Sequence, residues 1–142
     1  MTENAIILQY ISDQAAGTND KLIAPMSTLQ RYHQLELVNY IATKLYKGFD
    51  LLFSPLTPDN YRKIVIKSLI TKFSYMENLL IKRKVFTGEY FTIADACLFT
   101  IYRWTTVVNV HLSQYQHLKQ YIEEKIRQRK SVQEVLMTKG LI

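Results

Sequence analysis

The chain has 142 residues, of which 48% are hydrophobic and 21% charged, the balance of a folded globular protein and not of a disordered one. Four Gly and three Pro are too few for a many-stranded sandwich or barrel, so helices are expected. No apolar run approaches the roughly 18 residues that cross a bilayer, and the first residues do not resemble an export signal. A single Cys cannot form a disulfide framework. We therefore expect a cytoplasmic protein without membrane contact.

The formal net charge of +6 raises the question of a nucleic-acid partner. The basic residues, however, are spread along the chain. The two densest clusters, residues 82–84 and 127–130, lie where helices are predicted to end, and cations there complement the helix dipole. Nucleic acid is therefore not the expected partner.

The first half of the chain predicts three helices. Residues 3–13 form a short helix that is apolar on nearly every side, which indicates burial against a larger surface. Residues 14–27 are small and polar and form a connection. From Thr28 to about Phe53, apolar residues recur every three or four positions, as they do again from Asp59 to about Lys82. The short, proline-containing loop between these two long helices predicts an antiparallel pair.

The second half begins where Gly88 interrupts the helical pattern. Thr92 and Asp95 have the spacing of a capping box, an N-cap hydroxyl with a carboxylate three residues later, and open a helix that is apolar nearly all round. This helix is expected at the centre of the bundle. The Ser-x-x-Gln and Ser-x-x-Glu patterns at residues 113–116 and 131–134 predict capping boxes for two shorter helices. The predicted fold is all-α.

Three segments carry a resemblance to a known family. Residues 91–100, Phe-Thr-Ile-Ala-Asp-Ala-Cys-Leu-Phe-Thr, strongly resemble the capping motif and central helix of the glutathione S-transferase C-terminal domain. Residues 39–49 are similar to the first long helix of the bacterial beta class, and residues 131–141 resemble its tail. The resemblance implies that residues 28–142 form a helical bundle of this type. It also implies that residues 1–13 correspond to the last helix of a thioredoxin-like domain, with 14–27 as the linker.

The resemblance implies a function in glutathione conjugation and detoxification, with glutathione as a substrate and no cofactor. In the family, a thioredoxin-like domain holds glutathione and, in this class, an active-site cysteine, and that domain is essentially missing before residue 3. We therefore expect a truncated transferase that is not catalytically competent alone, and we assign no catalytic residue. Three alternatives stay open: a non-catalytic interaction or dimerisation module, one half of a split transferase completed by a separate thioredoxin-like chain, and a gene product without a selected role.

Glu3 and Asn4 resemble the place where the family binds the γ-glutamyl group with an acidic residue and a serine. Glu3 matches, whereas Asn4 replaces the usual serine with an amide that can still bond to a carboxylate. The start of a helix also favours an anionic group.

A second candidate set lies on the first long helix. On a helical projection Asn39, Thr43, Tyr46, Lys47 and Asp50 fall within roughly 100° of one another, beside the apolar face. In the family this stripe faces glutathione, and Tyr46 replaces the usual histidine. The alternative is a solvated polar stripe without a ligand, and the sequence leaves both open.

The remaining chemistry-bearing residues have structural explanations. Cys97 lies on the most apolar helix, where a buried thiol is inert. Asp95 is expected to act as a helix cap. His33, His111 and His117 do not have the spacing of metal ligands, so we predict no metal site.

Two further expectations concern partners. A helix as apolar as residues 3–13 favours self-association, as does the family's habit of dimerising, so we expect a homodimer. The ten Tyr residues and the one Trp are expected mostly in the core and at interfaces, and the resemblance implies that a few of them line a pocket for an apolar electrophile.

Overall fold

The computed structural model describes residues 1–15, 22–83, 86 and 90–142. Gly88 and much of the 14–27 connection therefore lie outside the described residues. Within them every regular element is helical, which confirms the all-α prediction. The helices are α1 (Asn4–Gln14), α2 (Leu29–Tyr40), α3 (Tyr46–Phe53), α4 (Asp59–Arg83), α5 (Ile93–Val107), α6 (Gln116–Gln120) and α7 (Lys130–Thr138).

The first long helix is continuous but not regular. Thr28 caps it, and its side chain accepts a hydrogen bond from the Arg31 N–H at 3.3 Å. Between α2 and α3 the helix passes through a π-helical turn, Ile41–Leu45. A π turn inserts an extra residue, so the side chains after it point in directions that a plain α-helical projection does not give. A second π-helical turn, Tyr121–Ile126, follows α6.

The α2–α3 helix and α4 are antiparallel, as predicted. Near the beginning of α4, the Arg62 guanidinium donates to the Leu52 carbonyl at the end of α3, at 2.6 Å. Further along α4, the Lys72 carbonyl accepts from the Tyr40 hydroxyl at the end of α2, at 3.0 Å. Moving forward along α4 thus means moving backward along α2–α3.

The core lies between these helices, α5 and α6 with its π turn. Its largest fully buried apolar side chains are Leu45, Phe49, Leu69, Phe73, Met76, Leu98, Leu118, Ile122 and Ile126. The expectation of a centrally buried α5 holds for one face only: Leu98 and Ile101 are buried, whereas Thr100 is exposed and Trp104 is half-buried. The other face of α5 is therefore available to line cavities.

Helix α1 folds back onto the bundle. The guanidinium of Arg31, a residue that is 8% exposed, forms a two-pronged ion pair with the Asp13 carboxylate, with both N–O distances 2.9 Å. Arg31 also donates to the Ala24 carbonyl at 3.1 Å. Leu8 of α1 packs against the core. Because the two hydrogen bonds of such an arginine–carboxylate pair are parallel, the pair fixes the orientation of the end of α1 as well as its position.

The starts of α6 and α7 differ from the predictions. Neither helix has a capping hydrogen bond from its N-cap side chain, so the capping boxes predicted at 113–116 and 131–134 are wrong. Helix α6 is instead capped from α4, because the Glu77 carboxylate accepts from the backbone N–H groups of His117 and Leu118 at 3.1 and 2.7 Å. A cap supplied from a distant helix leaves no local sequence pattern. None of the described helices is long and apolar enough to cross a membrane.

Candidate functional site at the start of α1

A cavity of about 570 Å³ lies between the start of α1, the α2–α3 helix around its π turn, and α5; we call it the α1–α5 cavity. Its polar end carries Glu3 and Asn4, and its apolar sides include Leu8, Ile41 and Ile101. The volume lies within the range of about 300–1,000 Å³ that is typical of small-molecule sites. A predominantly apolar cavity with a few polar groups at one end suits an amphipathic ligand.

Glu3 and Asn4 lie at the beginning of α1. The backbone of Glu3 is extended, and its carbonyl accepts from the N–H groups of Ile6 and Ile7 at 3.0 and 2.9 Å. The Glu3 side chain does not cap the helix, and both Glu3 and Asn4 are exposed. The carboxylate of Glu3 is suited to an amine and the amide of Asn4 to a carboxylate, and the positive end of the helix dipole favours that carboxylate.

Two aromatic side chains, Tyr46 and Trp104, also line the cavity. The Tyr46 and Trp104 rings lie 5.5 Å apart between centroids, and Phe49 and Phe53 pack edge-on against Trp104 at 5.7 and 5.4 Å. The Tyr46 hydroxyl has no hydrogen-bond partner among the described residues, and Tyr46 is 43% exposed. The cavity therefore combines an apolar aromatic surface with a hydroxyl that is available to a ligand.

The residues of the polar stripe predicted on the first long helix do not all line the cavity. Tyr46 lines the cavity, whereas Asn39, Thr43 and Lys47 do not. The Thr43 hydroxyl donates to the Asn39 carbonyl at 2.8 Å, within its own helix. The π turn lies between Asn39 and Tyr46, so the α-helical projection that placed them on one face does not apply across it.

Cys97 also lines the cavity, but its chemistry is not that of a nucleophile. Burial, and secondly the nearby Asp95 carboxylate, raise the pKa of the Cys97 thiol to about 11. At neutral pH the group is therefore a neutral thiol, and the thiolate is the reactive form.

Asp95 and Thr92 have the geometry of a capping box at the start of α5. Both the backbone N–H and the hydroxyl of Thr92 donate to Asp95 Oδ2 at 2.8 Å, and the Tyr121 hydroxyl donates to Oδ1 at 2.8 Å. Burial raises the pKa of the Asp95 carboxyl above its ordinary value, although the hydrogen bonds from Tyr121 and Thr92 act to lower it. These contacts account for Asp95 without a catalytic role.

The histidines lie apart from the cavity. His33 is 3.5 Å from Glu36, and His117 Nδ1 is 2.8 Å from Glu77. Among the residues that the structure describes, no three metal-binding side chains come together.

Of the residues that line the cavity, sequence reasoning named Glu3, Asn4 and Tyr46 as binding residues; Ala42 and Thr100 are among those it missed, and Trp104 was expected only as one of several aromatic residues. A signal was present on α5, where Ala96, Thr100 and Trp104 recur at intervals of four and thus share one helix face.

The described residues thus form an all-α bundle in which a preceding helix closes a cavity with one polar end, the organisation of the helical half of a glutathione transferase. The family model for the glutathione S-transferase C-terminal domain matches residues 40–128. Glutathione S-transferase GstA of Escherichia coli O157:H7 is 38% identical over 141 residues, which cover 99% of this chain and 69% of that protein. The chain belongs to the glutathione S-transferase family.

Solved structures agree with this assignment. A sphingomonad glutathione S-transferase complexed with glutathione is 30% identical with a TM-score of 0.90, and the match covers all of this chain and 69% of that one. The bacterial beta-class enzyme of Sphingomonas chungbukensis is 29% identical, again with a TM-score of 0.90 and the same coverage of both chains. The bundle is therefore that of the bacterial beta-class transferases.

Proposed function

We propose that this chain supplies the helical half of a glutathione transferase, in which the α1–α5 cavity receives glutathione at its polar end and an apolar electrophile beside its aromatic side chains. We further propose that conjugation needs a thioredoxin-like half and that the 142 residues alone are not catalytically competent. The observation that carries the proposal is the placement of Glu3 and Asn4 in the same cavity as Tyr46 and Trp104.

The chemistry of the cavity supports a binding role for glutathione. The γ-glutamyl end carries an amine and a carboxylate, which match the carboxylate of Glu3 and the amide of Asn4 at a helix start. The free Tyr46 hydroxyl can donate to the glutathione sulfur, and the Trp104 ring provides an apolar surface for the electrophile.

Activation of the glutathione thiol requires a group that stabilises the thiolate, and Cys97 is unsuited to assist because burial raises its pKa to about 11. In this proposal the thioredoxin-like half supplies that group. It is either joined to the helical half in one chain or provided by a separate chain.

The test compares two proteins: the 142-residue chain, and a fusion that places the thioredoxin-like half of a beta-class transferase before Glu3. Conjugation of glutathione to 1-chloro-2,4-dinitrobenzene is expected at background for the chain and clearly above it for the fusion. Turnover by the chain above a heat-inactivated control would refute the need for a second half. A folded fusion without activity would refute the transferase role.

Variants of the fusion test the site itself. Tyr46→Phe and Glu3→Gln are each expected to raise the KM for glutathione about tenfold, the cost of one charge-assisted hydrogen bond. Tyr32→Phe is the matched control, because Tyr32 is 61% exposed and does not line the cavity. Equal KM values in all three variants would exclude Tyr46 and Glu3 from the binding site.

We also propose that the chain forms a homodimer and functions in the cytoplasm. The dimer is supported by apolar side chains on the outer face of α1, where Ile6, Tyr10 and Ile11 are 50–52% exposed. A monomeric protein seldom exposes a contiguous apolar patch of more than a few hundred Å². This observation is also the one that favours the alternative of a non-catalytic dimerisation module.

A further inference from the structure

The angle between α1 and α5 determines the shape of the α1–α5 cavity. Helix α1 and the residue before it contribute Glu3, Asn4 and Leu8 to the lining, and α5 contributes Thr100 and Trp104. A ligand that contacts Glu3 and Asn4 while it lies against α5 therefore depends on how the two helices are oriented. The polar contact that sets this orientation lies at the other end of α1, outside the cavity.

The apolar contacts of α1 do not by themselves fix its orientation. Ala5 and Leu8 pack against the core, whereas much of the outer face of the helix is exposed. The hydrophobic effect is not directional, so apolar contacts along one side of a helix allow it to tilt. Asn4 and Asp13 are roughly 14 Å apart along the helix at about 1.5 Å per residue, and a tilt of about 15° displaces one end relative to the other by about 4 Å. Such a displacement breaks a hydrogen bond.

A buried arginine supplies a directional contact. The Arg31 guanidinium donates to both oxygens of the Asp13 carboxylate, each at 2.9 Å, and the two side chains are only 10% and 28% exposed. Among the described residues, no other side chain of α1 forms a hydrogen bond with another helix. Because the two bonds are parallel and the pair lies mostly out of water, the contact resists rotation and is little screened by salt.

Arg31 is itself held by buried contacts, which make it a fixed reference point for α1. Its guanidinium also donates to the Ala24 carbonyl at 3.1 Å, and the Ala24 N–H donates to Gln34 Oε1 at 2.7 Å. Ala24 and Gln34 are completely buried. Two residues before Ala24, the Leu22 carbonyl accepts from the N–H of Ile93, the first residue of α5, at 3.0 Å. These contacts connect the start of α5 with the far end of α1.

We propose that Arg31 is a positioning residue for glutathione binding: through Asp13 it fixes the angle between α1 and α5, and thereby the place of Glu3 and Asn4 in the cavity. The consequence for binding rests on the proposed function, whereas the angle itself is measurable without glutathione. Loss of the pair should tilt α1 and leave the orientation of the other helices unchanged. A pair that only stabilised the fold would change the free energy of unfolding without changing this angle in the folded state.

Residual dipolar couplings of the isotope-labelled 142-residue chain measure the angle, because they report the directions of backbone N–H bonds in the folded state. In Asp13→Ala the couplings of α1 are expected to depart from the wild-type orientation, while those of α5 stay unchanged. Arg31→Lys is the second variant: lysine keeps the charge but cannot form two parallel bonds, so the fold should persist while the α1 couplings shrink through wider motion.

Glu77→Gln is the matched control, because it alters a buried carboxylate whose partners lie on α6 and not on α1. It should lower stability and leave the couplings of α1 unchanged. Unchanged α1 couplings in both Asp13→Ala and Arg31→Lys would overturn the proposal, as would an equal change in Glu77→Gln.

The fusion with a thioredoxin-like half measures the consequence for binding. Asp13→Ala is expected to raise the KM for glutathione about tenfold, the loss of one charge-assisted hydrogen bond, and to leave kcat within about twofold of the wild type. The reason is that the γ-glutamyl end of glutathione takes no part in bond formation at the sulfur. The KM for 1-chloro-2,4-dinitrobenzene should not change, and Glu77→Gln should change neither constant.

A glutathione KM that stays unchanged while α1 tilts would contradict a positioning role, and so would a lower kcat at an unchanged KM. A wild-type fusion without activity would refute the proposed function instead. In that case the dipolar couplings still decide whether Arg31 fixes the orientation of α1.

Discussion

At the scale of single residues, the Asp95 carboxylate makes more contacts than a helix cap needs. It accepts from the N–H and hydroxyl of Thr92 through one oxygen and from the Tyr121 hydroxyl through the other. The first two contacts fix the start of α5, while the third attaches that start to the π turn after α6. One buried side chain thus connects two elements that are 26 residues apart along the chain.

We expect Asp95→Ala to lower the free energy of unfolding by about 2–4 kcal/mol, because it removes a helix cap and leaves the Tyr121 and Thr92 donors without an acceptor. Urea denaturation at pH 7 measures the change. Asp95→Asn is the matched control: its amide oxygen can accept from Thr92 while its NH₂ group donates to the Tyr121 oxygen. Asp95→Asn should lower the free energy of unfolding by less than half as much as Asp95→Ala. An equal decrease in the two variants would contradict a role based on hydrogen bonds.

At the scale of elements, Gly48 sets the separation of α3 and α4. A Cβ atom at this position would lie 2.6 Å from Leu69 Cδ2, and Leu69 is completely buried. Glycine is a poor helix former, so its presence in the middle of a helix is explained by the close approach of α4. The two helices can touch here only because residue 48 has no side chain.

Gly48→Ala is therefore expected to destabilise the protein by about 1–2 kcal/mol, since the clash with Leu69 outweighs the gain of about 1 kcal/mol in helix propensity. Thermal and urea unfolding of Gly48→Ala, Leu69→Val and the double variant measure this effect. The double variant should be more stable than the sum of the single changes predicts, because the smaller Val makes room for the added methyl group. Additive changes would show that residues 48 and 69 are not coupled.

Helix α6 depends on Glu77 of α4. Burial alone would raise the pKa of the Glu77 carboxyl, but hydrogen bonds from the His117 side chain and from the Leu118 and His117 backbone N–H groups outweigh it, so the pKa is lowered. A carboxyl whose pKa is lower in the folded state contributes stability above its unfolded-state pKa. That contribution is lost as the pH falls through the folded-state pKa.

Glu77→Gln should lower the free energy of unfolding by about 1–3 kcal/mol at pH 7. The reason is that both carboxylate oxygens of Glu77 accept hydrogen bonds, whereas a neutral amide has only one acceptor oxygen. The difference from the wild type is expected to shrink as the pH falls from 6 to 3, as urea denaturation across this range would reveal. Glu124→Gln, on the exposed side of the π turn after α6, is the control and should show neither effect. A constant difference at every pH would contradict the charged role of Glu77.

The starts of the helices show which contacts the sequence can predict and which it cannot. Thr28 and the pair Thr92 and Asp95 carry local patterns, and the helices they open lie where the sequence places them. The cap of α6 comes from Glu77, 40 residues earlier, and no local pattern encodes such a contact. Likewise, the Ser-led boxes at 113–116 and 131–134 have the right spacing, but the chain begins those helices with other residues.

Only part of the candidate site is predicted from the sequence. Glu3, Asn4 and Tyr46 were named from the resemblance, and the structure brings them to one cavity. Asn39 was assigned to the same stripe as Tyr46, but the π turn between them changes the direction of every later side chain. The apolar side of the cavity, including Trp104, depends on which face of α5 is left uncovered, and this is a property of packing and not of the α5 sequence alone.

At the scale of the whole molecule, the two faces of α1 have different environments. One face packs on the bundle through Leu8 and is held at its end by the Asp13–Arg31 ion pair. Ser12 is buried, and its hydroxyl has no partner among the described residues. The inner face of α1 is therefore covered by the bundle of the same chain. Only the apolar side chains on its outer face are left for contact with a second copy.

We expect the purified chain to be a homodimer, with the outer face of α1 in the interface. Multi-angle light scattering at micromolar concentration should give twice the chain mass of 16.7 kDa. Ile11→Asp places a charge on the exposed face and should shift the mass to that of a monomer, because an unpaired carboxylate in an apolar interface is costly. Ile7→Asp is a poorer test, since Ile7 is half-buried and its substitution also disturbs the packing of α1 on the bundle. Leu56→Asp is the control, because Leu56 is 89% exposed and lies in the loop between α3 and α4. A monomeric wild type, or equal dissociation by Ile11→Asp and Leu56→Asp, would refute an interface built on α1.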